Sequence, residues 1–230
     1  MSQSGQIPLS FPERPLGFDD LAITDANRAV VSAIRRADQW PYHVFCLVGR
    51  HKSGRTTLAR AWAEERGGEY LTPDACARLK PQDIEHLSPG SLAVDDADMV
   101  RKQAILLNLI GAFERSAGRL LLVASRAPSQ WQTQSRDLAS RLRSAPMAEL
   151  SAPDEPLMRA RIQRACARAY LNLPKAVEDY LVTRLGLSFE AIEDTVTALN
   201  GAAGERALSV PLAREVLAGN TETNDGHDEG

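Results

Sequence analysis

Eight consecutive residues, Gly49-Arg50-His51-Lys52-Ser53-Gly54-Arg55-Thr56, have the types and spacing to hold phosphates. They follow an apolar run at 43–48 and lead into a segment of helical composition. Phosphate binding wants glycines where backbone N–H groups wrap the oxygens, and a helix N-terminus aimed at them. Gly49 and Gly54 supply the glycines, with Lys52 and Ser53 inside the loop. The pattern G-x-x-x-x-G-K-[ST] is met except at Arg55, which stands where Lys is expected. A guanidinium is a planar fork, whereas this position favours a compact ammonium. The substitution predicts nucleotide binding with impaired hydrolysis in cis, and Lys52 could stand in only by pointing inward. Thr56 offers a hydroxyl to a nucleotide-bound Mg²⁺, and Thr57 is a candidate helix cap as well as a nucleotide contact. The competing reading is a glycine-rich turn with no ligand.

A second acidic element lies some forty residues on. Residues 91–94 read as a strand ending in Asp95 and Asp96. Asp95 is placed to hold Mg²⁺ through water, and Asp96 to polarise an attacking water. The strand at 119–125 ends in Ser125, which would sit between the phosphate-binding and acidic strands and sense a γ-phosphate. The three cysteines and four histidines show no ligand-like spacing, which points to reduced, buried thiols and no structural zinc.

Positioning these groups requires strands and helices in alternation. Residues 25–36 have amphipathic helical spacing, as do 57–66 and 104–116; residues 43–48, 69–71, 91–94, 119–125 and 147–151 read as five strands. Short apolar strands alternating with helices imply a parallel sheet covered on both faces. Beyond Pro153 four helical stretches follow without a strand, with Pro174 in a first turn and Ser188 and Ser209 as caps. The expected organisation is a flexible tail at 1–17, an α/β nucleotide-binding domain at 18–152, a helical lid at 153–218 and a disordered tail at 219–230.

The 230 residues are 43% hydrophobic and 25% charged, enough for one substantial core. No run approaches the roughly 18 apolar residues of a membrane span, and no secretory signal is visible, so a cytoplasmic protein is expected. A net charge of −3 argues against nonspecific coating of DNA. Between residues 99 and 168, however, twelve Lys/Arg face five Asp/Glu, a local balance of +7. Most such charges belong to solvated faces.

Together these segments resemble the DnaA/Hda branch of the AAA+ proteins. The stretch FDDLAITDANRAVVSAI resembles that family's opening segment, with Asn27 at its recurring asparagine; RLLLVASRAPSQW and Asp137-Leu138-Ala139-Ser140-Arg141-Leu142 resemble two further elements. The resemblance covers residues 6–218 and implies that Arg141 is an arginine finger. It is nearer to the Hda-type regulators than to the initiator, since Arg55 matches them and no DNA-binding domain follows the lid. At the front, Gln6-Ile7-Pro8-Leu9-Ser10-Phe11 fits a sliding-clamp-binding peptide, with Gln6 on a polar edge and Leu9 and Phe11 in an apolar pocket. The family's lid arginine aligns with Glu190, and Ser125 departs from its usual acid, which weakens autonomous turnover further.

The resemblance implies a negative regulator of replication initiation. Its partners would be DnaA and the DNA polymerase III sliding clamp, self-association being left open, and its cofactor ADP or ATP with Mg²⁺, ADP favoured. Arg141 would promote hydrolysis of DnaA-bound ATP in trans. Two other classes stay open: an autonomous AAA+ ATPase or helicase loader, and a structural partner of DnaA that needs no nucleotide.

Overall fold

The computed structural model describes residues 17–186, 189–203 and 207–224, with the backbone alone at 190 and 220–224. Five strands form one parallel sheet: β1 (Val44–Val48), β2 (Glu69–Leu71), β3 (Ser91–Val94), β4 (Arg119–Ala124) and β5 (Met147–Glu149), in the order β2-β3-β4-β1-β5. Side chains alternate across a strand, and β4 shows what that does here. Leu121 and Val123 enter one core with Trp40, Leu47 and Trp62, while Leu120 and Leu122 enter the other with Leu92, Leu109 and Phe113. Both faces of the strand are therefore covered, which is why it reads as a continuous apolar run.

Ahead of and between the strands lie α1 (Arg28–Arg35), α2 (Arg55–Glu65), α3 (Pro73–Cys76), α4 (Pro81–Leu87), α5 (Gln103–Glu114) and α6 (Arg136–Ser144). The strands fall within two residues of the sequence reading. Helix α2 begins at Arg55 rather than at 57, so Thr57 lies inside it and Gly54 takes the cap position. Helices α3 and α4 lie where no element was expected; each opens on a proline, whose missing N–H costs nothing in a first turn.

The lid follows as α7 (Glu155–Arg168), α8 (Lys175–Arg184), α9 (Phe189–Ala203) and α10 (Val210–Asn224) around its own core of Met158, Ile162, Leu181 and Leu199. Asp154 caps α7 by accepting from Leu157 N at 2.9 Å and ties it to the first domain by accepting from Ala26 N at 3.2 Å. Ser209 caps α10 as expected, accepting from Leu212 N at 3.5 Å. That helix runs to Asn224, past the expected boundary at 218: Gly219 weakens a helix by about 1 kcal/mol without ending it. Ser188 lies outside the described residues.

Candidate functional site

The parallel register brings the ends of β1, β3 and β4 to one edge, with Val48 opposite Ala124 and Val94 opposite Leu122. Ligands of open α/β sheets bind outside such carboxyl ends. The loop from Gly49 to Gly54 starts there. Gly49 N donates to Ala124 O at 3.1 Å, and Ser53 N closes a turn on Arg50 O at 3.1 Å. Gly54 has φ +95, a conformation side chains rarely adopt, and no side chain caps the amides of α2 behind it. A Cβ at Gly49 would meet Ser53 Oγ at 2.5 Å. The loop thus requires both glycines. Ser53 Oγ is buried with no hydrogen-bond partner, a hydroxyl left for something outside the chain.

Arg55 does not reach outward. It is 8% exposed; its guanidinium donates to Gly49 O at 2.6 Å and pairs with Asp96. The planar fork therefore joins the start of the phosphate loop to the end of β3. Asp95 turns away: it is buried, accepts from Tyr70 OH at 2.7 Å and does not line the cleft. Burial, with that hydrogen bond second, pushes the Tyr70 phenol up to about 12. Of the two acids only Asp96 faces the cleft, from a left-handed backbone at φ 40. Ser125 sits between β1 and β3 as expected, but its hydroxyl donates to Asp98 at 2.5 Å and it lines a side opening with Arg50 and Ser53. Asn27 is a brace: Nδ2 donates to Ala22 O at 2.9 Å and Oδ1 accepts from Thr24 N at 2.9 Å.

Between loop and lid lies a cleft of about 690 Å³, bounded on the loop side by Lys52, Gly54, Thr56 and Thr57. That size suits a nucleotide. Lys52, at φ +57, reaches across it to Asp194 of α9 at 3.0 Å rather than inward, so it does not stand in for the missing loop lysine. The lid contributes cations that sequence reasoning missed. Arg161 of α7 lies so close over Gly54 that a Cβ there would collide with its guanidinium, and it stacks on Phe189 at 4.7 Å. Arg168, two turns further along the same face of α7, pairs with Glu193 at 3.0 Å. Alignment with the family offered only Glu190, in α9, whose side chain lies outside the described residues. The available signal was the density of arginines in α7, four in fourteen residues, with Arg161, Arg164 and Arg168 on one face at i, i+3 and i+7.

Arg141 lies on α6, a helix capped by Ser135, in the segment between β4 and β5. It is not free. Its Nε donates to Asp137 at 2.9 Å and its guanidinium also pairs with Glu114 of α5, and these two hydrogen bonds hold its pKa above the ordinary arginine value. Arg136 and Arg143 on the same helix are exposed and form no ion pair among the described residues. Gln6, Leu9 and Phe11 lie outside the described residues. No helix among the described residues is long and apolar enough to cross a membrane.

Neither a family model nor a curated protein matches the sequence. Solved structures do match. Domain III of the Thermotoga maritima replication initiation protein DnaA superposes with a TM-score of 0.74 at 15% identity, over 88% of this chain and 95% of that one. AMPPCP-bound DnaA from Aquifex aeolicus gives 0.67 at 18% identity, over 91% of this chain and 69% of that one. A Thermotoga maritima RuvB variant gives 0.65 at 17% identity, over 94% and 76%. With its five-stranded parallel sheet, flanking helices and helical lid, the chain has the AAA+ fold of DnaA and RuvB.

Proposed function

We propose that this chain is a negative regulator of replication initiation that binds a nucleoside diphosphate between loop and lid, ADP in preference to ATP, and turns nucleotide over poorly. It docks on the DNA polymerase sliding clamp through Gln6, Leu9 and Phe11, and it offers Arg141 to the nucleotide of ATP-bound DnaA, promoting hydrolysis there. The observation that carries this reading is the internal engagement of Arg55: the group standing in the usual lysine position is spent on Gly49 O and Asp96. A site without that cation favours holding a nucleotide over hydrolysing it. The orphaned Ser53 hydroxyl and the uncapped amides of α2 fit phosphate oxygens. Thr56 is the hydroxyl open to a nucleotide's Mg²⁺, whereas Asp95, bonded to Tyr70, and Asp96, held by Arg55, fit that ion poorly.

Delivery of a finger to a neighbour stabilises charge on the transferring phosphoryl group, an effect of about 10³–10⁵ in rate. Arg141 must exchange Asp137 and Glu114 for that phosphate. Exposed pairs of this kind are worth at most about 1 kcal/mol each, so the exchange is affordable. The pairing also favours a second reading, in which Arg141 is structural and the chain is a nucleotide-independent partner of DnaA. Hydrolysis of DnaA-bound ATP, measured with and without this chain and DNA-loaded clamp, separates them. Stimulation that requires both supports the regulator; no stimulation at any concentration removes it. Steady-state ATP turnover by the chain alone would instead favour an autonomous ATPase or helicase loader.

A further inference from the structure

Among the described residues that line the cleft, Arg161 is a cation without an assigned role. Its place on α7 is fixed from the α/β side: Asp154 anchors the helix start to Ala26 N, and Arg164 donates to Asp20 O. Three residues before Arg164, Arg161 projects over Gly54, with Phe189 of α9 stacked on its guanidinium. Among the described residues it forms no hydrogen bond and no ion pair, whereas Arg159 and Arg168 on the same helix pair with Glu155 and Glu193. Burial holds its pKa below the ordinary arginine value; Glu193 opposes that, and Arg164 and Arg168 add to it. A half-buried guanidinium that has lost water and gained no acceptor is an anion site waiting for its anion. Next to the same glycine in the chain stand Ser53, whose hydroxyl is unpartnered, and the first turn of α2, whose amides no side chain caps.

We infer that Arg161 is a phosphate ligand of the bound nucleotide, closing from the lid the charge gap that Arg55 leaves in the loop. This rests on the reading that a nucleoside diphosphate occupies the cleft. Arg55 then keeps the loop in shape, and the cation that touches phosphate comes from the second domain. Binding of the diphosphate consequently fastens lid to loop, because amides on one domain and a guanidinium on the other share one anion.

Calorimetric titration of the full chain with ADP, pyrophosphate and adenosine tests this, using wild type, Arg161→Ala, Arg161→Lys and Arg168→Ala. One charge-assisted contact corresponds to a loss of about ten- to a hundred-fold in affinity. The expected result is that Arg161→Ala loses that factor for ADP and for pyrophosphate but leaves adenosine unchanged. Arg161→Lys should recover part of it, and Arg168→Ala should lose clearly less. Equal melting temperatures of the ligand-free proteins, read by circular dichroism, keep a folding defect from imitating the loss. Wild type binding ADP with Arg161→Ala binding it equally well overturns the inference alone. Wild type binding none of the three ligands overturns the nucleotide reading and the inference with it. Loss of adenosine affinity in Arg161→Ala, with pyrophosphate unaffected, would assign the residue to the nucleoside and also overturn the inference.

Discussion

Replacing Arg55 with alanine should destabilise the ligand-free protein, a result not expected of a residue whose task is to touch phosphate. Arg55 is 8% exposed, and its guanidinium donates to Gly49 O at 2.6 Å as well as to Asp96. Hydrogen bonds involving a charged group contribute about 1.5–3 kcal/mol, and their loss leaves the Gly49 carbonyl without its donor. The Asp96 side chain is 40% exposed, so water screens its share to at most about 1 kcal/mol. Alanine's better helix propensity returns only a few tenths of a kcal/mol. The net expectation is about 2–4 kcal/mol. At roughly 2–4 °C per kcal/mol for a chain of this size, the melting temperature should fall by about 4–16 °C. Arg55→Lys should fall between, since an ammonium keeps charge opposite Asp96 but cannot span both acceptors. Thermal unfolding followed by fluorescence suits the measurement, because Trp40 and Trp62 are buried and stacked at 5.7 Å in the domain that holds the loop. Nucleotide must be stripped beforehand, as ligand binding adds its own stabilisation. If Arg55→Ala melts within about 1 °C of wild type, the guanidinium is not a brace and its engagement with Gly49 and Asp96 has no energetic weight.

Three further expectations concern the surface and the alkaline limit. Arg141→Ala should change stability by no more than about 1 kcal/mol, given exposed partners, keep ADP binding, and abolish stimulation of DnaA-bound ATP hydrolysis; full stimulation in this variant, with loss in Arg143→Ala, would move the finger to Arg143. Leu9→Ala with Phe11→Ala should remove two apolar anchors, each worth up to about 2–3 kcal/mol if fully buried, so clamp affinity unchanged in surface plasmon resonance would refute the docking peptide. Tyr70 has a folded-state value raised to about 12 from an unfolded value of 10.0; its contribution is intact below pH 10 and lost as pH rises toward 12. The stability advantage of wild type over Tyr70→Phe should therefore shrink across that window, and an advantage that stays constant from pH 9 to 12 would contradict the assignment.

The sheet was legible because burial on both faces leaves β1, β3 and β4 almost uninterrupted apolar runs, with glycine, aspartate or serine marking where each one ends. Helices α3 and α4 were missed although Thr72-Pro73 and Lys80-Pro81 carry the signal of a proline in a first turn; at four and seven residues they are too short to show a periodic face. The loop glycines were equally legible, since their role is local. The role of Arg55 was not: its acceptor Asp96 lies 41 residues on, and spacing alone cannot say that a side chain turns back on its own loop. Arg161 was hidden for a related reason. Its meaning comes from Gly54, on another domain, and depends on how Asp154 seats α7 against Ala26.

The link from Lys52 to Asp194 has a mechanical consequence. It spans loop and lid at 3.0 Å, yet the two side chains are 32% and 68% exposed. Lys52 holds a left-handed backbone to make it, a conformation costing roughly 1–2 kcal/mol, about what an exposed pair can return. With the Debye length near 8 Å at physiological ionic strength, counterions compete readily for both partners. The lid is thus held here by a clasp close to thermal balance, one that added salt should loosen. The angle between the two domains would then respond to ionic strength, so small-angle scattering of the ligand-free protein should report a larger radius of gyration at 1 M salt than at 0.05 M.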